Sequence, residues 1–419
     1  MLDIKFIRKN YEQVKKAIEA KREKCNIDRV VELDEIKRKK LTEVEELKCK
    51  RNQENEKIAA AKRTGEDASS RMAQMGAISD TIKKIDSEIA EIEKELESLS
   101  LWFPNIPMPD VPEGDESQNK VVRTWGEPRK YDFDPKPHWE LGEKLEILEL
   151  PRATKLTGSG FTMLRGLGAR LERAILNFML DTHAANGYQE IAPPFMVNRK
   201  TITGTGQLPK LEDDMYHLPR EDFFLIPTSE VPLVNFFQDE IIPAEKLPIY
   251  LTSSTPCFRR EAGTYGKDTR GLLRVHQFNK VELIHFVPEE ESVASLEKLL
   301  RDAESILQKL NLAYRVVLLA SGDMSFASAK TYDLELWAPG VNRWLEVSSC
   351  SNCTDFQARR ANIKYKAKGG KPKYVHTLNG SGVAIPRLLV SILESYQRAD
   401  GHIEVPDALV PYLGGTKII

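Results

Sequence analysis

The first hundred residues contain no proline and only two glycines, Gly65 and Gly76. So few breakers exclude a turn-rich β module there and leave room for long helices. Cysteine is scarce and scattered: Cys25, Cys49, Cys257, Cys350 and Cys353 form an odd, irregularly spaced set. That argues against a disulfide framework and for a reducing compartment. Net charge is nearly absent, -2 from 61 Lys+Arg and 63 Asp+Glu, so no overall basic field announces a nucleic-acid partner. No apolar run approaches the roughly 20 residues of a membrane span. The opening MLDIKFIRKN has no apolar core behind its charges and is too acidic for a transit peptide. The expectation is a cytoplasmic protein without a membrane partner. What is present, 419 residues with 41 % hydrophobic and 30 % charged, suffices for a large core and about two domains.

Residues 1–104 read as a helical arm. Met75, Ile78, Ile82, Ile85, Ile89, Ile92, Leu96 and Leu99 recur at alternating gaps of 3 and 4, a coiled-coil seam. Val30, Leu33, Val44, Leu47, Ile58 and Ala61 fit a second seam, interrupted by Lys37, Lys40, Arg51 and Glu54. Between the seams, residues 63–67 read as a tight turn, so an antiparallel two-helix coiled coil about 50 Å long is expected. Residues 1–63 hold 19 Lys/Arg against 13 Asp/Glu, and residues 64–100 hold 4 against 9. Opposite charges of this kind either stabilise the hairpin internally or present a basic helix to RNA phosphates.

Residues 105–120 are a proline-rich linker, with Pro107, Pro109 and Pro112. The remainder, 121–419, reads as α+β: an antiparallel sheet flanked by helices. An amphipathic helix carries Leu164, Leu167, Leu171, Ile175 and Phe178, followed by Gly187, a short strand and Pro193-Pro194. Strands are expected at 223–226, 314–320, 332–337 and 344–348, and helices at 290–310, 355–366 and 386–399. No GxGxxG follows a strand, which argues against a Rossmann domain.

The densest chemistry lies between Cys257 and Phe286. Arg259, Arg260, Arg270 and Arg274 accompany Glu261 and Glu282, in a strand–loop–strand pattern around a polar loop at 263–271. Clustered guanidinium forks suit phosphate oxygens, and Phe278 between them could stack on a base. Read alone, the same pattern also describes a solvated charged face.

The phrases CFRREAG, DTRGLLRVHQF and NKVEL in that stretch resemble the second signature motif of class II aminoacyl-tRNA synthetases, and among these the seryl-tRNA synthetases. Thr228-Ser229-Glu230, LEVSSCSNCTDFQARR (345–360) and LNGSGVAIPR (378–387) are similar to the same family, in its order and over nearly the whole chain. The resemblance implies a class II catalytic domain that joins L-serine to ATP and then to the 3′-terminal ribose of tRNA(Ser), with tRNA(Sec) as a second acceptor. It also implies a homodimer, and an N-terminal arm that grips the tRNA by shape and backbone. Arg259 would contact the α-phosphate and the serine carboxylate, and Glu261 the adenine edge. Phe278 and Arg387 would sandwich adenine, while Arg274 and Arg387 hold the γ-phosphate. Arg260, Val275, Val347 and Ser348 complete the implied ATP site. Glu346 and Ser349 would hold Mg2+ through ATP, as hard oxygen ligands. Glu282, helped by Ser381, would bind the serine hydroxyl and amino group, Thr228 and Glu230 would line the amino-group side, and Ser229 belongs to the same implied serine site. Adenylate formation needs positioning and charge neutralisation rather than a covalent intermediate. A site rich in Arg and Glu without a Ser/His triad fits that need.

One departure is visible. The family usually has glycine before the last arginine, and this chain has Pro386, which suits the first turn of a helix. Cys350 and Cys353 form a CxxC with no second pair nearby, so no zinc is expected. Gly204-Thr205-Gly206-Gln207 resembles a family loop beside the serine pocket. Two competing readings remain open. A ligase that loads an amino acid onto a carrier protein would lack the long arm. An inactive tRNA-binding paralogue would have lost Arg259, Arg274, Glu282, Glu346 or Arg387.

Overall fold

The computed structural model describes residues 1–65, 67–261 and 270–419. Glu66 of the expected turn and residues 263–269 of the expected loop lie outside them. The chain divides into two compact units, Leu2–Pro104 and Asn105–Ile419.

In the first unit two short helices, α1 (Ile4–Lys9) and α2 (Tyr11–Ala20), precede α3 (Ile27–Thr64) and α4 (Ser69–Ser100). Asn26 starts α3 by accepting the Arg29 N–H at 3.0 Å, and Gly65, at φ 80°, ends it. Only glycine takes that left-handed conformation freely. The 38 residues of α3 give it a length of about 57 Å at 1.5 Å per residue. Val44 packs with Ile85 and Ile89, and Ile58 and Ala61 with Ala68 and Met75, so α3 and α4 run antiparallel. The two lysines that interrupt the first seam reach across to acids of α4: Lys37 to Glu93 at 2.7 Å and Lys40 to Glu88 at 2.5 Å. Arg29–Glu95, Lys48–Asp86 and Arg71–Glu54 repeat the pattern, so much of the charge split serves the hairpin itself. Exposed pairs of this kind add little stability, but they favour one register.

The second unit is built on an eight-stranded sheet. Its strands are β1 (Lys120–Trp125), β2 (Gln189–Glu190), β3 (Ile249–Phe258), β4 (Gln277–Val287), β5 (Tyr314–Leu318), β6 (Lys330–Ala338), β7 (Arg343–Asn352) and β8 (His376–Ala384). Their spatial order is β1-β5-β6-β7-β8-β4-β3-β2, antiparallel throughout except for β3 with β2. Three helices cover one face: α5 (Leu167–Ala185), α6 (Ser292–Lys309) and α7 (Ile385–Ser395). Period-two alternation sorts the side chains between the faces. Val281, Leu283, Leu334, Leu336, Leu345 and Leu378 join Leu171, Ile175, Leu299, Leu300 and Leu388 in the main core. Their alternates, among them Lys280, Glu282, Asp333, Glu335, Glu346 and Ser381, face the other way. The residues of this unit thus form the expected α+β fold.

Some elements differ from expectation. The helix expected at 355–366 stops after Phe356–Ala361, because Asn362 turns left-handed at φ 53°. Residues Lys364–Lys366 then pair in parallel with Ile241–Pro243. Phe223–Leu225 belongs to a separate small sheet with Met196–Asn198 and His217–Leu218. Leu164 lies before α5 rather than in it. The proline-rich segment is held in place: the Asn105 amide donates to the Ala327 and Cys353 carbonyls, both at 2.9 Å, and the Met108 N–H to Ala329 at 2.8 Å. Among the described residues no helix is long and apolar enough to cross a membrane.

Truncating Ile89 removes a seam residue that is 7 % exposed. Ile89→Ala should lower arm stability by about 2 kcal/mol or more. Hydrogen exchange of α3 and α4 amides reads this directly. Unchanged protection would contradict the packing described.

Candidate active site

A cleft of about 210 Å³ opens on the sheet face opposite the three helices. Its walls include Arg259, Glu261, Arg274, Val275, Phe278, Glu346, Val347, Ser381 and Arg387, all expected from the sequence. They come from the segments that follow β3 and precede β4, from β4, β7 and β8, and from the first turn of α7.

Strand β4 supplies the floor. Phe278, Lys280 and Glu282 alternate onto one face, and Ser381 of β8 stands directly opposite Glu282. Glu282 is 2 % exposed and forms an ion pair with Lys280, itself 6 % exposed. The Lys280 ammonium also donates to Thr228 Oγ1 at 2.8 Å, and Thr228 donates to Glu282 Oε2 at 3.0 Å. A buried carboxylate without such partners would be very costly. Lys280 reaches the cleft wall, and Glu282 and Thr228 are bonded directly to it.

Glu230 stands nearby, taking a 2.5 Å hydrogen bond from Gln357 and one of 3.1 Å from Asn379. Burial, and then the charge of Glu282, push its carboxyl up to about 7. Gln357 also donates to the carbonyl of Thr205, tying in the Gly204–Gln207 segment. Ser229 is turned away from the cleft: it is wholly buried, with its hydroxyl 2.6 Å from that of Thr255.

The cations have local partners. Arg274 donates to Glu261 at 2.8 Å. The Arg259 guanidinium lies 5.3 Å from the Phe278 ring centre, and its Nε donates to the Pro227 carbonyl at 3.2 Å. Arg387 donates from Nε to the Leu273 carbonyl at 3.2 Å and from Nη1 to Glu346 Oε2, also at 3.2 Å. Pro386 occupies the first turn of α7, as expected for a proline there. Arg260 is exposed, and its N–H donates to the Asp214 carbonyl at 2.9 Å.

Two bulges shape the site. On β7, Ser348 pairs with Leu334 while Glu346 pairs with Glu335, which leaves Val347 as an extra residue. That extra residue lets Glu346 and Ser349, three apart, share the cleft face. Asp333 pairs with Ser349 on the same face; burial, then Glu346, holds its carboxyl well above the usual range. On β8, Gly382 is the extra residue between Ser381 and Val383. A Cβ there would lie 2.7 Å from His183 Nε2, which instead donates to the Gly382 carbonyl at 3.2 Å. Ser348 sits beneath, donating to the Ser381 carbonyl at 2.6 Å. Cys350 and Cys353 are buried; Cys353 Sγ accepts from Asn379 at 3.4 Å, and Cys350 Sγ lies 3.7 Å from Ser348 Oγ.

Sequence reading missed Lys280, Gln357 and Asn379. Lys280 had a usable signal, since it lies two residues before Glu282 on the same face of an expected strand. Gln357 and Asn379 gave none, because their roles depend on contacts across more than a hundred residues.

Residues 1–107 match the seryl-tRNA synthetase N-terminal domain, and residues 211–396 match the class II tRNA synthetase core domain (G, H, P, S and T). The chain is 55 % identical over 416 residues to the serine–tRNA ligase of Thermoanaerobacter pseudethanolicus, covering 99 % of this chain and 98 % of that one. It is 52 % identical to that of Clostridium tetani, with 100 % of each covered. The seryl-tRNA synthetase of Pyrococcus horikoshii complexed with ATP superposes with a TM-score of 0.95 at 37 % identity, over 100 % of this chain and 99 % of that one. The cytoplasmic serine–tRNA ligase of Naegleria fowleri in complex with AMP gives 0.89 at 32 %, over 100 % and 98 %.

The raised Glu230 carboxyl predicts a pH effect. Its folded value, about 7, lies above the usual 4.5, so its contribution to stability is complete below about 4.5 and is lost as pH rises through 7. Between those values the free protein should lose stability relative to Glu230→Gln. Parallel melting-temperature profiles across this window would refute the assignment.

Proposed function

The chain belongs to the seryl-tRNA synthetase family of class II, and we propose how its own residues divide the work of a serine–tRNA ligase. It activates L-serine with ATP to seryl-adenylate, releasing pyrophosphate, and transfers serine to the 3′-terminal ribose hydroxyl of tRNA(Ser), releasing AMP. The observation that carries the division is the Lys280–Thr228–Glu282 cluster behind a cleft walled by arginines.

ATP lies bent along that cleft. Phe278 and Arg387 take the two faces of adenine and Glu261 its edge, in company with Arg260, Val275, Val347 and Ser348. For this, Arg274 exchanges its bond to Glu261 for a phosphate oxygen. Arg259 lies between the α-phosphate and the serine carboxylate, where it orients the nucleophile and neutralises charge on the five-coordinate phosphorus. Preorganised donors of this kind act most strongly where water is excluded. The serine carboxylate needs no base, because it is already ionised at neutral pH.

Glu346 and Ser349 share one face and offer hard oxygen donors, which fits a magnesium ion held together with ATP. Such an ion neutralises phosphate charge when bound.

The serine hydroxyl meets Glu282 and Ser381, and its ammonium group meets Glu230 and Thr228; Ser229 supports this wall through Thr255. Alanine fits the same space but leaves buried polar groups unpaired, at about 1–3 kcal/mol or more. In this reading residues 1–104 form the tRNA-binding arm, 105–120 the connection and 121–419 the catalytic domain, acting as a homodimer in the cytoplasm.

Serine-dependent ATP–pyrophosphate exchange tests the chemistry. Serine should support exchange, while alanine, threonine and glycine should not. Glu282→Ala should lower kcat/KM for serine by about 100-fold or more. Exchange without any serine dependence would overturn the reading. A chain starting at residue 105 should keep exchange and lose tRNA charging; full charging without the arm would remove its proposed role.

A further inference from the structure

The buried pair His138–Glu394 lies outside the groups assigned so far, yet it bonds directly to the cleft wall. Both side chains are 0 % exposed, and His138 Nδ1 is 2.8 Å from Glu394 Oε1. His138 Nε2 accepts the backbone N–H of Leu272 at 3.0 Å. A backbone N–H can only donate, so Nε2 carries no proton and Nδ1–H donates to Glu394. Glu394 accepts three further N–H bonds, from His138 at 2.9 Å and from Gly340 and Val341 at 2.9 and 3.2 Å. Such a saturated carboxylate is a fixed anchor for the ring.

What the ring holds is the wall of the ATP cleft. Leu272 and Leu273 line it, and the Leu273 carbonyl is the acceptor that orients Arg387 Nε. Arg387 and Glu394 are two turns apart on α7, so the contacts close a ring: α7, His138, Leu272–Leu273 and back to α7. The neighbouring residue reinforces the arrangement, since Arg270 stacks over the Trp139 ring at 4.7 Å. Gly271 stands between these two contacts at φ 71°, and a Cβ there would lie 2.2 Å from His138 Nε2. The segment therefore sits against the imidazole as closely as a backbone can.

We propose that His138, anchored by Glu394, is a positioning residue for ATP: it fixes Leu272–Leu273 and through them the guanidinium of Arg387. This inference rests on the reading of the cleft as the ATP site. The serine side lies on β4, β8 and the Thr228–Glu230 segment, which the ring does not include. A defect in it should therefore separate the two substrates.

The test is steady-state ATP–pyrophosphate exchange on the full chain, with KM for ATP and for serine measured separately. His138→Asn keeps a donor toward Glu394 but loses the acceptor for Leu272. It should raise KM for ATP about tenfold and leave KM for serine within twofold. His138→Gln, whose amide oxygen can reach the Nε2 position, should restore most of the loss. In an Arg387→Ala background the His138→Asn effect should largely vanish, because both act on the same contact. Should His138→Asn fail to fold, Glu394→Gln keeps the shape and should show the same ATP-selective defect. Both KM values rising together, no rescue by Gln, or full additivity with Arg387→Ala would each overturn the proposal. Wild-type protein without serine-dependent exchange would instead overturn the reading of the site.

Discussion

A carboxylate that is 2 % exposed sets the terms for this candidate active site. Glu282 is sustainable there because Lys280, two residues earlier on the same strand face, pairs with it, and Thr228 donates to it. Removing one partner from such a pair leaves a buried charge uncompensated, so the three residues stand or fall together. The same burial makes the cluster discriminating: a group held out of water must be matched by its ligand. In the proposed assignment a small hydroxylated amino acid with an ammonium group supplies that match, and a methyl side chain does not.

The sheet delivers these groups by simple alternation. One set of side chains builds the core under α5, α6 and α7, and the other set faces the cleft. Two interruptions in that alternation shape the cleft. The Val347 bulge brings Glu346 and Ser349 onto one face, and the Gly382 bulge follows Ser381 within β8, at a glycine that His183 requires. Burial pushes the His183 imidazole down to about 4, which keeps it neutral as it braces that segment. The arm obeys a different rule, with apolar seams closing the hairpin and cross-helix ion pairs matching its register.

Much of this was legible in the sequence because it depends on local periodicity. The alternating 3 and 4 gaps from Met75 to Leu99 announce α4, and the parity of Phe278 and Glu282 announces one strand face. Arg259, Glu261, Arg274, Glu346 and Arg387 could be named because their runs resemble a family, and the structure gathers all five in one cleft. Less legible was anything fixed by distant contacts. The lysines interrupting the α3 seam look like defects until Glu88 and Glu93 appear opposite them. Ser229 lies between two candidate site residues in sequence, yet its hydroxyl points to Thr255. The early end of the helix at Ala361 follows from a left-handed Asn362, which no periodicity encodes. His138 carries no motif signal, because its role exists only once Glu394 and Leu272 surround it.

The most direct measurement is a crystal structure of the chain with a non-hydrolysable seryl-adenylate analogue. The serine hydroxyl should lie within hydrogen-bonding distance of Glu282, its ammonium group at Glu230, and adenine between Phe278 and Arg387. An analogue bound with its hydroxyl directed away from Glu282, or seated outside this cleft, would contradict it.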